Sequence, residues 1–192
     1  MPRRPLSRQR IVRAALRMID RDGVDGLSMR RLGAALGVEG MALYRHVGNK
    51  QQLLEGVVEL LLEDLELPPV DSASWTEAWY AIARSYRRIA RRHPGAFPLL
   101  ALSPLATAAR FERAQAPLGI LRAAGFTERG AERAFRTLLS YADGYLMREL
   151  ADHDGELSPD EADAAFEFGI RAILIGLEHE LDPTSVDEAT RR

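Results

Sequence analysis

The stretch Leu27-Ser28-Met29-Arg30-Arg31-Leu32-Gly33-Ala34-Ala35-Leu36-Gly37-Val38-Glu39-Gly40-Met41-Ala42-Leu43-Tyr44-Arg45-His46-Val47-Gly48-Asn49-Lys50 decides how this 192-residue chain is read. Ser28 is a good helix N-cap, and Gly37 is a helix stop two turns later. Leu32 and Leu36 give the segment between them an apolar edge. A second short helix runs from Glu39 to His46. Asn49 opens another, with Gln52 three residues on in the pattern of a capping box. Two short helices joined by three residues that include a glycine are the sequence form of a helix-turn-helix.

The second helix is too short to persist alone, so its neighbours must hold it. Leu43 and Val47 are the apolar pair that can face inward. At about 100° per residue, Met41 and Arg45 then point away from the body, with Ala42 and Tyr44 on the flanks. Such a face suits a DNA major groove. Arg45 can reach guanine O6 and N7, Met41 and Ala42 can touch a thymine methyl, and Tyr44 can bond a phosphate. An ordinary helical hairpin with a solvated Arg and Tyr has the same spacing.

Charge is distributed unevenly around this motif. Residues 1–50 carry 11 Arg or Lys against 4 Asp or Glu, and residues 51–192 carry 15 against 24. A head of net +7 on a body of net −9 suggests that the head meets a polyanion. A solvated arginine-rich surface is the alternative. Upstream, Ser7 to Asp22 forms a helix with Ile11, Val12, Ala15, Leu16, Met18 and Ile19 on one stripe and most arginines off it. Downstream, Leu53, Leu54, Val57, Leu60, Leu61 and Leu65 carry the fourth helix inward.

Helical periodicity dominates as far as Leu181, and no run alternates as a strand. The expected class is all-α. Leu67-Pro68-Pro69-Val70-Asp71-Ser72 is the clearest break. It divides a three-helix DNA-binding head with the helix-turn-helix, at 1–66, from a larger helical ligand-binding and dimerisation domain at 74–181. Ser74 and Glu77 cap the fifth helix, which ends at His93-Pro94-Gly95. A short apolar turn spans Ala96 to Leu102. Ser103-Pro104 opens the seventh helix, which Pro117 should kink or split. The eighth runs from Thr127 to about Ala151. The last starts at Ser158-Pro159-Asp160-Glu161 and ends near Leu181.

The chain has no cysteine, which excludes disulfides and thiolate metal sites and fits a cytoplasmic protein. No signal peptide opens it, and the longest nearly apolar run, Phe166 to Leu177, is too short for a membrane span. Catalytic motifs are missing: no glycine-rich phosphate loop, no HExxH and no nucleophile elbow. His46 reads as a DNA-face or packing residue, His93 as a helix-end cap and His179 as exposed. His153, between Asp152 and Asp154, reads as part of a solvated acidic loop. No metal site and no cofactor is expected. The aromatic set Trp79, Tyr86, Phe97, Phe111, Phe135, Tyr141 and Tyr145, with Met147, falls in the second domain, as core or as the wall of a small-molecule site.

Residues 27–38, followed by 41–54, resemble the DNA-binding head of the tetracycline-repressor (TetR) family. The pairs Leu43-Tyr44, His46-Val47 and Asn49-Lys50, with Leu53-Leu54 downstream, carry the likeness. Ser74-Trp75, Ala124-Gly125-Phe126, Phe168-Gly169-Ile170 and Ile175-Gly176-Leu177-Glu178 resemble the C-terminal domain of tetracycline repressors themselves. The resemblance implies a ligand-responsive transcriptional regulator, a repressor rather than an activator, acting as a homodimer on a palindromic double-stranded operator. Ser28, Met29 and Arg30 would then face the DNA backbone and groove edge. Gly40, Met41, Ala42, Tyr44, Arg45 and His46 would read the groove, and Lys50 would hold a phosphate. Trp79, Ile82, Tyr86, Phe97, Leu100, Phe111, Tyr141 and Tyr145 would line the effector site, and Phe166, Gly169, Ile173, Gly176 and Leu177 the dimer interface. Where tetracycline recognition uses histidine and asparagine side chains, this chain has Asp64, Ile82 and the Leu99-Leu100 pair, which implies a largely apolar or aromatic effector instead. A helical ligand carrier or protein-interaction module without DNA binding is the rival reading, and the basic head with its outward Arg45 argues against it.

Overall fold

Hydroxyl and amide side chains start most of the helices that form. Ser7 Oγ accepts from the Arg10 amide, Ser28 Oγ from Arg31 and Asn49 Oδ1 from Gln52, at 3.3, 3.2 and 2.8 Å. These caps open α1 (Arg8–Asp22), α2 (Met29–Leu36) and α4 (Lys50–Glu63), and α3 (Gly40–Val47) lies between the last two. Beyond the double proline, Ser74 Oγ caps α5 (Trp75–Arg92) through the Glu77 amide at 3.2 Å. Then come α6 (Phe97–Leu102), α7 (Ala108–Ala123), α8 (Glu128–Ala151) and α9 (Pro159–Leu181). Ser158 and Glu161 close a reciprocal box at the start of α9, and the Ser158 hydroxyl holds the Glu161 carboxyl below its usual range. This computed structural model describes residues 5–72, 74–103, 108–151 and 157–181, without the side chains of 108–110. Among them there is no strand. The expected start of the seventh helix at Pro104 and the acidic loop around His153 lie outside the described residues. Pro117 does not split α7, which runs unbroken through it, with Pro117 itself buried.

The chain packs as two units, Met1–Leu65 with Ile89–Phe111, and Glu66–Arg88 with Glu112–Arg192. The first unit thus holds residues 89–111 that the sequence assigned to the second domain. Two contacts account for this. His93 Nδ1 lies 2.7 Å from Asp20 Oδ2 at the end of α1. Gly95 presses against the backbone of Ile19 and Asp20, where a side chain would collide. Phe97 and Leu100 of α6, both fully buried, add to a core of Ile11, Ile19, Leu32, Leu43, Leu53 and Leu61.

The helix-turn-helix depends on how closely α2 approaches α3. Gly37 ends α2 in the left-handed region, φ 71° and ψ 34°, which glycine adopts without strain. Arg31 ties α2 back to the preceding turn through the Asp22 carboxylate and the Gly26 carbonyl. The Arg21 and Arg31 guanidinium groups hold the Asp22 carboxyl at about 2. Between the helices, a methyl on Gly33 would stand 2.8 Å from both the Gly40 nitrogen and the Val38 oxygen, and one on Gly40 3.1 Å from the Met29 oxygen. These are backbone atoms that cannot swing aside.

In the second unit α8 packs on α9. The Tyr141 hydroxyl donates to the carbonyls of Ala165 and Phe166 at 3.3 and 3.2 Å, and the Tyr145 hydroxyl to Ala162 at 2.9 Å. Burial pushes the Tyr141 phenol above its usual value. Gly169 is the position over which the Tyr141 ring lies, and a side chain there would collide with the phenol.

Alanine in place of a glycine inside a helix ordinarily gains up to about 1 kcal/mol. Gly33→Ala is expected to do the opposite and cost about 1–3 kcal/mol by prying α3 from α2. Urea denaturation checks it, and a variant as stable as the wild type would refute the close approach.

Candidate nucleic-acid interface and effector site

Leu43 is fully buried and Val47 nearly so, which fixes the rotation of α3 about its axis. Met41 is consequently 73% exposed. Arg45 and His46 are exposed, Tyr44 stands at the flank and Ala42 is half-buried. Lys50 is exposed at the first position of α4, whose N-cap is Asn49. A cleft of about 400 Å³ brings Tyr44, Arg45 and His46 together with Gly48, Gln52 and Glu55 at the start of α4, and with Arg8 of α1. Arg8, held 3.0 Å from Glu59, was missed as a site residue. Its sequence signal was its place in the first turn after the Ser7 cap. Arg10, Arg13 and Arg17 line a second concavity on α1 with Pro5, Ser7 and Gln9.

Three of the expected contacts change role. Met29 is buried in the head, so its side chain does not face outward as expected. It is apolar, and the first turn of so short a helix must bury what it can. Ser28 caps α2, so one lone pair of its hydroxyl is already used, and Arg30 beside it is exposed. Gly40 is half-buried, and the Met29 carbonyl lies against it, so its visible work is spacing.

The expected effector residues fall in both units. Phe97 and Leu100 are core residues of the first, where Phe111 is 62% exposed. In the second, Trp79, Ile82 and Tyr86 of α5 are all buried, and Tyr141 and Tyr145 of α8 are half-buried. The polar tips of the tyrosines are spent inside the protein. Tyr86 donates to Asp143 Oδ1 at 2.7 Å, and the other two donate to α9. Arg87, with its side chain 8% exposed, forks onto Glu149 at 3.0 and 2.9 Å and reaches Asp163 at 3.1 Å. Its guanidinium lies 4.9 Å from the centre of the Phe166 ring. Trp79 packs edge-on against Phe135, 6.1 Å between centroids.

The residues expected at a dimer interface also divide. Phe166 is 1% exposed and stacks on Tyr141 within the subunit. Gly169 faces the same tyrosine. Both expectations are corrected: Phe166 and Gly169 lie on the inner side of α9, which α8 already covers. Ile173 and Leu177 are half-buried, and Gly176 is open. The outer side carries two residues not expected at the interface, Phe168 at 73% and Ile175 at 50% exposure, with Ala172, a position of close helix approach in the sequence reading, between them.

The model of bacterial regulatory proteins of the tetR family matches residues 11–57, and that of the tetracyclin repressor-like C-terminal domain matches 79–173. The class A tetracycline repressor of Escherichia coli is 35% identical over 87% of this chain and 88% of its own length. Two curated regulators, from Saccharopolyspora erythraea and Streptomyces coeruleorubidus, match at 32% and 30%, and the chain spans only 61% and 62% of their lengths. Among solved structures, ActR of Streptomyces coelicolor in complex with (S)-DNPA superposes with a TM-score of 0.81 at 25% identity, covering 93% of this chain and all of that one. BioQ with its double-stranded DNA operator superposes at 0.75 and 28%, covering 90% and 98%.

Proposed function

The chain belongs to the tetR family of bacterial regulatory proteins, and on that footing we propose that it is a homodimeric repressor which a small, largely apolar molecule releases from a palindromic operator. The observation that carries the reading is the rotation of α3. Leu43 and Val47 consume the inner face, so Met41, Tyr44, Arg45 and His46 stand together where a major groove can receive them. Arg45 supplies bidentate recognition of guanine, and Met41 apolar contact with thymine. Lys50, at the N-terminus of α4, and Arg8 hold phosphates. BioQ offers a relative with DNA bound and ActR one with a small molecule bound, which supports both halves of the reading. The relatives are regulators, and we assign this protein no catalysis. Among the described residues no helix is long and apolar enough to cross a membrane, and a repressor works in the cytoplasm, where the DNA is.

Mechanism follows from two states. Without effector, two α3 helices sit one DNA turn apart, or a multiple of it. An effector that binds better to a state with wrongly spaced heads draws the population there, and DNA is released. The effector is not tetracycline with magnesium. Ile82 offers no hydrogen bond, Leu99 and Leu100 are aliphatic, and Asp64 is engaged by Arg92 at 3.2 Å.

Dimerisation uses the outer side of α9. Phe168, Ala172, Ile175 and Gly176, at i, i+4, i+7 and i+8, share one side of it, an apolar stripe with its large members exposed. With α8 it gives two helices per subunit, enough for a four-helix bundle about a two-fold axis.

Two experiments test these halves. On an operator selected from random duplexes, Arg45→Ala is expected to lose about 1–3 kcal/mol and to relax preference at one base pair per half-site, read by fluorescence anisotropy at fixed salt. Lys50→Ala should weaken all duplexes alike. An Arg45→Ala protein that binds as tightly as wild type would remove α3 from the groove. Separately, Phe168→Glu with Ile175→Glu should sediment as a folded monomer at micromolar concentration, and a folded double variant that stays dimeric would put the interface elsewhere.

A further inference from the structure

Trp79 is 4% exposed, and its Nε1 has no hydrogen-bond partner among the described residues. Buried indole N–H groups are ordinarily partnered, and an orphan in a folded protein calls for a reason. The three tyrosines of the same set each have an acceptor: Asp143 for Tyr86, the Ala165 and Phe166 carbonyls for Tyr141, and Ala162 for Tyr145. Trp79 alone among these four keeps an unspent donor. On its own helix Ile82 and Ala83, three and four residues on, share its face and are buried, and Phe135 closes on it from α8. None of these side chains can accept a hydrogen bond.

An indole nitrogen only donates. Whatever satisfies it must therefore present an acceptor, which excludes a purely hydrocarbon molecule and an ammonium group. The acceptor must also be neutral. An anion there would need a cation, and the buried guanidinium of this unit, Arg87, is already held by Glu149 and Asp163. We infer that Trp79 Nε1 is the effector-directed donor of this protein, and that the effector is a flat, otherwise apolar molecule bearing a neutral carbonyl-type oxygen, such as a ketone or quinone. The inference rests on the proposed role of the second unit as an effector site and specifies its chemistry. Trp79 then sets specificity: it recognises the oxygen, while Phe135, Ile82 and Ala83 accept the ring system.

Two probes of one shape isolate the oxygen, 9-fluorenone and fluorene, which differ only by a ketone in place of a methylene. With the full chain, fluorenone should bind about tenfold tighter than fluorene by calorimetry, the value of one hydrogen bond to an otherwise unpaired buried donor. Trp79→Phe keeps a ring against Phe135 and should bring the two affinities together, the ratio between the probes being the readout rather than either affinity alone. The chain has two tryptophans, so a ¹⁵N-labelled sample shows two indole signals. That of Trp79, identified by its loss in the variant, should move downfield with fluorenone and not with fluorene. If both probes bind and the wild-type preference for fluorenone persists in Trp79→Phe, or the Trp79 signal stays put, the donor assignment is wrong and the effector site stands. If neither probe binds the wild type, the reading of this unit as a site for flat apolar molecules falls, and the role of Trp79 with it.

Discussion

Two glycines facing each other across the helix-turn-helix, Gly33 and Gly40, are the constraint on which the rest of the head depends. An eight-residue helix cannot sustain itself in water, so α3 has the position its neighbours give it. Backbone within 2.8 Å of where a Gly33 methyl would be means that α2 and α3 meet through main chain rather than through adjustable side chains. The contact is therefore stiff, and the anchoring of Leu43 and Val47 transmits that stiffness to Arg45. Reading a base edge with a forked guanidinium tolerates little rotation, and a main-chain contact is a good way to prevent it.

The second unit is organised by a different economy. Its polar groups are drawn inward and consumed. Arg87 bridges α5 to carboxylates on α8 and α9, Tyr86 crosses to Asp143, and Tyr141 and Tyr145 bond the backbone of α9. Removing one partner of such a set strands the others in a poorly solvated place, so the network holds the three helices in register. Against that background the unspent indole of Trp79 stands out. The outer surface of α9 is the reverse case, with Phe168 and Ile175 in the open. Helix α9 thus spends one side within the subunit and presents the other.

Much of this was legible in the sequence because it was local. Caps at Ser7, Ser28, Asn49, Ser74 and Ser158 set the helix starts, and the pair Leu43 and Val47 set the rotation of α3, since both are written in spacings of three and four. What was not legible depended on distant parts of the chain. Met29 looked like a groove-edge residue by resemblance, but the core of the head claims it. Phe166 and Gly169 sat in an apolar run with no obvious inner side, and only the tyrosines of α8, more than twenty residues earlier, show which side is inner. The assignment of 89–111 to the first unit rests on His93 meeting Asp20, a pairing that no window of sequence contains. Pro117 was expected to kink or split α7, and the helix is not split there.

The central claim is that α3 of each protomer reads a half-site. Selection of duplexes from a random pool by the full-length protein, followed by measurement of stoichiometry on the enriched sequence, addresses it most directly. The account predicts a palindrome with half-sites a whole number of DNA turns apart, bound by two protomers with an affinity that falls steeply with salt. Enrichment of no sequence, or of a site without two-fold symmetry bound by a single protomer, would contradict it.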